Sequence, residues 1–194
     1  MMIHSVTNRF QFFSFFLDSQ ILDLGCGDGA VGEALKAKGF EDLIGIDISK
    51  GMLDIAQNKG TYTSLKKGDL QQTLPFEDGT FDCAVSSAVS TYLSELRALN
   101  KFSKFSSFKH CFEHFAFLFP DHTALSNWIP VVKNGGYLCL VHKASVWTKW
   151  TDEQDRLEKS GVWNKIWTSK PLPFLPSLEG SGTDKAKIFI YQKV

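Results

Sequence analysis

A short apolar run that ends in a glycine cluster and leads into a helical pattern constrains this chain more than any other feature. Ile21–Leu24 has the composition of a buried strand, residues 25–29 hold three glycines, and apolar residues recur at helical spacing to about Lys38. Glycine lets the backbone pass close to a ligand, and the free N–H groups at a helix start favour a negatively charged or polar group. This strand–turn–helix unit predicts a ligand site at the carboxyl end of a strand.

Short apolar runs continue to alternate with helical patterns, which is typical of an α/β fold with a parallel sheet. A helix is predicted to begin after Ser49 and end at Gly60, and another to cover residues 152–159. We therefore expect a Rossmann-like, seven-stranded, mostly parallel sheet that ends in a C-terminal antiparallel hairpin, within a single domain over residues 1–194. The predicted strands are 21–24, 43–47, 62–65, 81–86, 136–142, 162–168 and 185–192.

Composition removes several classes of function. The chain has 21 basic and 21 acidic residues, so its net charge of zero predicts no nucleic-acid partner. It has no uninterrupted apolar run near the ~18 residues of a membrane-spanning helix, and we expect no membrane association. Its cysteines are widely spaced and form no C-x-x-C pair, which predicts no metal site. Together these features predict a cytoplasmic or nuclear protein.

The glycine turn alone does not identify the cofactor, because two kinds of cofactor are compatible with it. Gly25, Gly27 and Ala30 fit the loose G-x-G-x-x-A dinucleotide pattern, and Asp47 stands where that pattern places a ribose-binding acid. Two further acids, Asp23 and Asp69, distinguish the cofactors, because a carboxylate at Asp23 suits an ammonium group better than a pyrophosphate. S-adenosylmethionine carries an ammonium group, a sulfonium cation and a ribose diol, so the acids favour it over NAD.

At these positions the chain resembles the class I S-adenosylmethionine-dependent methyltransferases, and within them the Williams-Beuren-region methyltransferase-like proteins. The narrower resemblance is carried by residues 175–180 and by the strand at 186–191. The blocks that match the class are 21–29 (ILDLGCGDG), 45–49 (GIDIS), 68–70 (GDL), 74–76 (LPF), 81–87 (FDCAVSS) and 132–138 (VKNGGYL).

The resemblance implies a role for each matching position. It implies that Asp23, Gly25 and Gly27 line the methionine half of the cofactor and that Asp47 binds the ribose hydroxyls. The remaining cofactor-binding positions that it implies are Ile48 and Met52 beside the adenine, Asp69 on the adenine amine, Leu70 against the ring, and Ser86 facing the sulfonium and substrate.

The acceptor is less constrained than the cofactor. His142, where the fifth strand opens onto the site, is the candidate catalytic base, because imidazole titrates near neutral pH. His122, Tyr92 and Trp147 are candidates to line the substrate pocket. A small-molecule acceptor is the leading prediction. The alternative is a non-catalytic cofactor-binding or protein-interaction module with the same fold, and a nicotinamide-dependent oxidoreductase comes third.

Two phenylalanine-rich stretches depart from the family pattern. Of 17 phenylalanines, five lie between Phe10 and Phe16 and seven between Phe102 and Phe119. We treat 1–19 as an atypical N-terminus, which lacks the lid helix of the family, and 93–121 as an insertion with the capacity to contact a protein partner. The competing interpretation is that both are non-homologous sequence from mispredicted exon boundaries.

Overall fold

The computed structural model describes residues 17–87, 124–143, 147–173 and 185–194. The insertion 93–121 and most of the atypical N-terminus lie outside the described residues, as do Tyr92 and His122. The described part consists of strands and helices that alternate along the chain. In order, they are β1 (Ile21–Leu24), α1 (Ala30–Lys36), β2 (Leu43–Asp47), α2 (Lys50–Lys59), β3 (Ser64–Lys67), β4 (Phe81–Ser87), α3 (Leu125–Trp128), β5 (Val132–Lys143), α4 (Trp147–Lys159), β6 (Trp163–Thr168), β7 (Leu172–Pro173) and β8 (Lys185–Lys193).

One mixed sheet joins the described strands in the order β3-β2-β1-β4-β5-β8-β6, and the short β7 pairs with β8 beside this path. Strands β3, β2, β1, β4 and β5 run parallel. Strand β8 lies between β5 and β6 and is antiparallel to both. The expected parallel sheet with a C-terminal antiparallel hairpin is confirmed.

The order of the strands reverses beside β1, which places the predicted site. From β1 the chain moves outward to β2 and β3, then returns to the other side of β1 as β4. In open α/β sheets, the loops at such a switch point diverge and leave a crevice at the carboxyl ends of the strands. Asp23 pairs with Val85 in β4 and with Gly45 in β2, so it lies at this point.

Two apolar layers cover the faces of the sheet. Each central strand contributes alternate side chains to the two layers, as the period of two in a strand requires. In β1, Leu22 and Leu24 face the larger layer and Ile21 faces the smaller one. Trp128, Trp150 and Trp163 all lie in the larger layer and fix α3, α4 and β6 to it.

The largest differences between the observed and the predicted boundaries concern three elements. Strand β5 starts at Val132 rather than at Gly136, because it pairs with Phe81 before a register shift and then resumes at Tyr137. Strand β3 lies two residues later than expected, and α4 starts at Trp147 rather than at residue 152. None of the described helices combines the length and apolar character needed to cross a membrane.

Alanine at two glycines should change stability in opposite directions. A Cβ on Gly136 would lie 2.8 Å from the Asp82 carbonyl oxygen, whereas a Cβ on Gly51, in α2, meets nothing within 4 Å. We expect Gly136→Ala to lower the free energy of unfolding by about 1–3 kcal/mol through overpacking against backbone. Gly51→Ala should raise it by roughly 0.5 kcal/mol through helix propensity. Urea unfolding measures both, and a neutral Gly136→Ala would contradict the close contact.

Candidate functional site

The turn after β1 is tied to the end of β2. Gly25, Gly27 and Gly29 all have left-handed backbone conformations, with φ of 75°, 54° and 91°. Glycine adopts this region without the steric cost that a side chain imposes. The N–H groups of Gly25 and Cys26 both donate to the Ile46 carbonyl, at 2.8 and 3.1 Å. The sequence therefore folds into a loop whose backbone is drawn across the neighbouring strand.

Asp47 holds this loop to the start of α2. Its side chain is 8% exposed, and its two carboxylate oxygens accept separate backbone N–H groups. Oδ2 accepts from Gly27 at 2.9 Å and Oδ1 from Ser49 at 2.8 Å. Each carboxylate oxygen has a further lone pair. Asp47 can therefore organise the loop and still accept a hydrogen bond from a ligand hydroxyl.

Asp23 is the most deeply buried acid of the site, with 2% exposure. The pKa of Asp23 is raised to about 7: burial is the largest cause, the hydrogen bond from Tyr62 opposes it, and the nearby charge of Asp47 adds to it. The Tyr62 hydroxyl donates to Asp23 Oδ2 at 2.6 Å and accepts from the Gly32 N–H at 3.2 Å. Sequence reasoning missed Tyr62. A glycine inside a predicted helix, at Gly32, was the available signal for a side chain that approaches closely.

Met52, Ile48 and Asp69 lie around the end of β2, whereas Leu70 belongs to the core. A Cβ on Gly27 would lie 3.6 Å from the Met52 Cε, so Met52 reaches the glycine loop. Ile48 and Asp69 are both partly exposed, and Asp69 Oδ1 accepts from the Gln71 N–H. Leu70 is 7% exposed and its carbonyl accepts from the Trp128 indole at 2.8 Å.

Ser86 lies beyond Asp23 on the neighbouring strand. It occupies the carboxyl end of β4, pairs with Leu140 in β5 and is 4% exposed. The carboxyl ends of β1, β2 and β4 thus bring together the glycine loop, Asp23, Asp47 and Ser86. A cavity of about 350 Å³ at the opposite edge, between Asp82 and Tyr137, is lined by none of the predicted site residues.

His142 is enclosed by the core rather than by the glycine loop. It is 2% exposed, its ring lies 4.6 Å from that of Trp150 between centroids, and its Nε2 is 3.1 Å from Gln154 Nε2. Gln154 Oε1 accepts in turn from the Tyr191 hydroxyl at 2.7 Å. Burial lowers the pKa of His142 to about 3, which makes it a weak base at neutral pH. These surroundings favour a structural role, and its assignment as a catalytic base stays a prediction. Trp147 is the first residue of α4.

Comparisons with known proteins agree with this architecture. A family model described as a methyltransferase domain matches residues 21–107. Human methyltransferase-like protein 27 is 31% identical over an alignment of 166 positions that covers 77% of this chain and 56% of that protein. The 18S rRNA (guanine-N(7))-methyltransferase of Bos taurus is 41% identical over 73 residues, which are 38% of this chain and 26% of that protein.

The fold is also similar to that of a solved S-adenosylmethionine-dependent methyltransferase from Methanosarcina mazei. The two share 19% identity and a TM-score of 0.63, over 91% of this chain and 92% of that one. The similarity in fold thus extends over about nine-tenths of both chains. By sequence, this chain spans about a quarter of the bovine relative and just over half of the human one.

The burial of His142 predicts a loss of stability in acid. In the folded chain the pKa of His142 lies below the ordinary value of 6.5, so in acid the unfolded chain binds a proton that the folded chain does not bind. The free energy of unfolding should fall as pH decreases from about 6.5 toward 3. His142→Phe keeps an aromatic ring but cannot titrate, so its slope should be shallower in urea unfolding measured across this range.

Asp23 acts with the opposite sign in part of the same range, because its raised folded pKa favours the folded state at low pH. Asp23→Asn provides the control. It should make the free energy of unfolding fall more steeply as pH decreases, whereas His142→Phe should make the fall shallower. Equal slopes in the parent and His142→Phe would show that His142 is protonated without cost in the folded protein.

Proposed function

The chain belongs to the class I S-adenosylmethionine-dependent methyltransferases, and we propose that it binds S-adenosylmethionine at the carboxyl ends of β1, β2 and β4 and methylates a small molecule. The family expected from the sequence motifs, including the resemblance to the methyltransferase-like proteins, is confirmed. The main support for the proposal is that two buried carboxylates, Asp23 and Asp47, flank one glycine loop. This site would repel a pyrophosphate and attract an ammonium group.

The methionine and ribose halves of the cofactor fit these acids. Asp23 would attract the ammonium group, in part through water, since a buried carboxylate gains most from an opposite charge. Asp47 would accept from the ribose hydroxyls with the lone pairs that Gly27 and Ser49 leave unused. Gly25 and Gly27 would line the path between them, where any side chain would narrow the crevice.

The adenine half would lie beyond the end of β2. Ile48 and Met52 are partly exposed there and offer apolar surface to a ring. Asp69 would accept from the exocyclic amine, and the contact of the core residue Leu70 with the ring stays a prediction. The Gly68 N–H donates to the Asp47 carbonyl at 3.0 Å, which fixes the segment before Asp69 to the ribose side of the site.

Methyl transfer requires correct placement of the reacting groups more than it requires catalytic side chains. When bound, S-adenosylmethionine supplies a methyl group on a positively charged sulfur. Ser86, at the end of β4, would face this sulfur and the acceptor, and the buried walls of the crevice would exclude water. For an acceptor hydroxyl, the assignment of His142 as the base stays a prediction, which its burial and its pKa of about 3 disfavour.

Ribosomal RNA is the second candidate acceptor. The 18S rRNA (guanine-N(7))-methyltransferases match over 73 to 75 residues, which are 38 to 39% of this chain and 26% of those proteins. Similarity over so small a part of both proteins leaves the acceptor free to differ. The balanced charge of the chain gives RNA no general attraction, so a small molecule remains the proposal. The expected cytoplasmic or nuclear location stays a prediction, as does the single domain over 1–194.

Replacing Asp47 should weaken cofactor binding. Asp47→Ala removes charge-assisted hydrogen bonds to the ribose and frees the Gly27 N–H, so we expect a loss of the order of 2 kcal/mol by isothermal titration with S-adenosylmethionine. The matched control is Asp54→Ala, which removes an exposed acid of α2 that pairs only with Lys50 among the described residues. Equal affinities for Asp47→Ala and the parent would mean that the ribose binds elsewhere.

Methyl transfer should label a small molecule. The full chain, with S-adenosylmethionine labelled on its methyl group, is incubated with pools of small hydroxyl, amine and thiol compounds, and separately with 18S rRNA. Label in a small-molecule pool is the expected result. Label in the RNA would favour the second candidate, and tight binding without label in any acceptor would support the non-catalytic module.

A further inference from the structure

Tyr62 lies against the helix that follows the glycine loop. It stands between α2 and β3, two residues before β3 begins. A Cβ on Gly32 would clash with the Tyr62 Cζ, and a Cβ on Gly29 would lie 3.2 Å from its Cε2. Both glycines therefore make room for this one ring. A side chain at Gly32 would displace the ring, and one at Gly29 would require it to move by a few tenths of an ångström.

Hydrogen bonds fix the direction of the Tyr62 hydroxyl. The Gly32 N–H donates to the hydroxyl oxygen at 3.2 Å, and the hydroxyl donates to Asp23 Oδ2 at 2.6 Å. The backbone donor occupies the oxygen of the phenol, so the phenol proton is directed to the carboxylate. A short hydrogen bond of this kind favours the ionised form of its acceptor. Only Oδ2 of the carboxylate takes part in this bond.

We propose that Tyr62 is a positioning residue for the cofactor, which holds the Asp23 carboxylate ionised and in place to receive the ammonium group of S-adenosylmethionine. The inference rests on the proposed function, because it assumes that Asp23 faces the amino-acid half of the cofactor. It adds a residue outside the family motifs and a dependence of cofactor affinity on pH. Tyr62 acts through Asp23 and need not touch the cofactor.

The groups around Asp23 set this balance. From β2, the charge of Asp47 disfavours a second negative charge, and burial acts in the same direction. From the loop, the Cys26 thiol stays protonated because burial raises its pKa. From β4, Asp23 pairs with Val85, which carries no charge. Among the described residues, Tyr62 is thus the group that favours the ionised form of Asp23, whose pKa is about 7.

The test measures affinity for S-adenosylhomocysteine, which keeps the ammonium group, by isothermal titration from about pH 5.5 to about pH 7.5, where that amine remains mostly protonated. For the parent chain, we expect affinity to rise by about tenfold or more across this range as Asp23 ionises. Tyr62→Phe removes the hydroxyl, so its curve should move to higher pH. Asp23→Asn should give weak binding without this dependence.

A second variant keeps the shape of the ring. Replacement of Tyr62 by a ring-fluorinated tyrosine makes the phenol a stronger donor, so the curve should move to lower pH. Shifts in opposite directions for the two variants cannot arise from a loss of packing. This variant also keeps the test decisive if Tyr62→Phe fails to fold, which circular dichroism would show.

Two controls separate this inference from the proposed function. Tyr137→Phe removes a hydroxyl at the opposite edge of the sheet, where it lies 3.4 Å from Gln192 Nε2, and its curve should match that of the parent. Methylthioadenosine carries the nucleoside but no ammonium group, so its affinity should not follow Asp23. No binding of either ligand by the parent would overturn the proposed function. The role of Tyr62 alone would be overturned by either of two results. One is a parent chain whose affinity for S-adenosylhomocysteine does not change with pH, and the other is a pH dependence that neither Tyr62 variant shifts.

Discussion

The two hydrogen bonds that the Asp47 carboxylate accepts organise the whole site. Its two oxygens accept the N–H groups of Gly27 and Ser49, and so join the turn after β1 to the start of α2. A loop of three left-handed glycines has little stiffness of its own, because glycine loses more conformational entropy on folding than other residues. The buried carboxylate offsets this cost with two charge-assisted hydrogen bonds at the point where the cofactor would bind.

The cost of burying negative charge shapes the chemistry of the crevice. Asp23 and Asp47 are both almost fully buried, and the charge of Asp47 makes Asp23 harder to ionise. Backbone N–H groups stabilise Asp47, while Asp23 depends on one phenol hydroxyl. A bound cation would relieve the remaining repulsion. This arrangement explains in physical terms why a cofactor with an ammonium group and a sulfonium suits the site better than a dinucleotide.

Much of the fold could be predicted because its signals are local. Glycine at the turn after β1, Ser49 at the start of α2 and apolar runs at strand spacing locate these elements without knowledge of their neighbours. Boundaries that depend on partners could not be found in this way. Strand β5 begins at Val132 because β4 offers Phe81 as a partner there, and α4 extends back to Trp147.

Residue type and spacing fix the order of the elements, the glycine loop and the acids at the strand ends, so these features could be predicted from the sequence. The side chains that surround them are set by contacts made in the folded chain. The tertiary structure brought Tyr62 to Asp23 across 39 positions of the chain, and it enclosed His142 with Trp150 and Gln154. Side-chain environment, and with it the proton affinity of a buried group, is set by contacts between residues distant in sequence. For that reason the sequence located both ionisable groups, whereas only the fold showed what holds Asp23 and how weak a base His142 is.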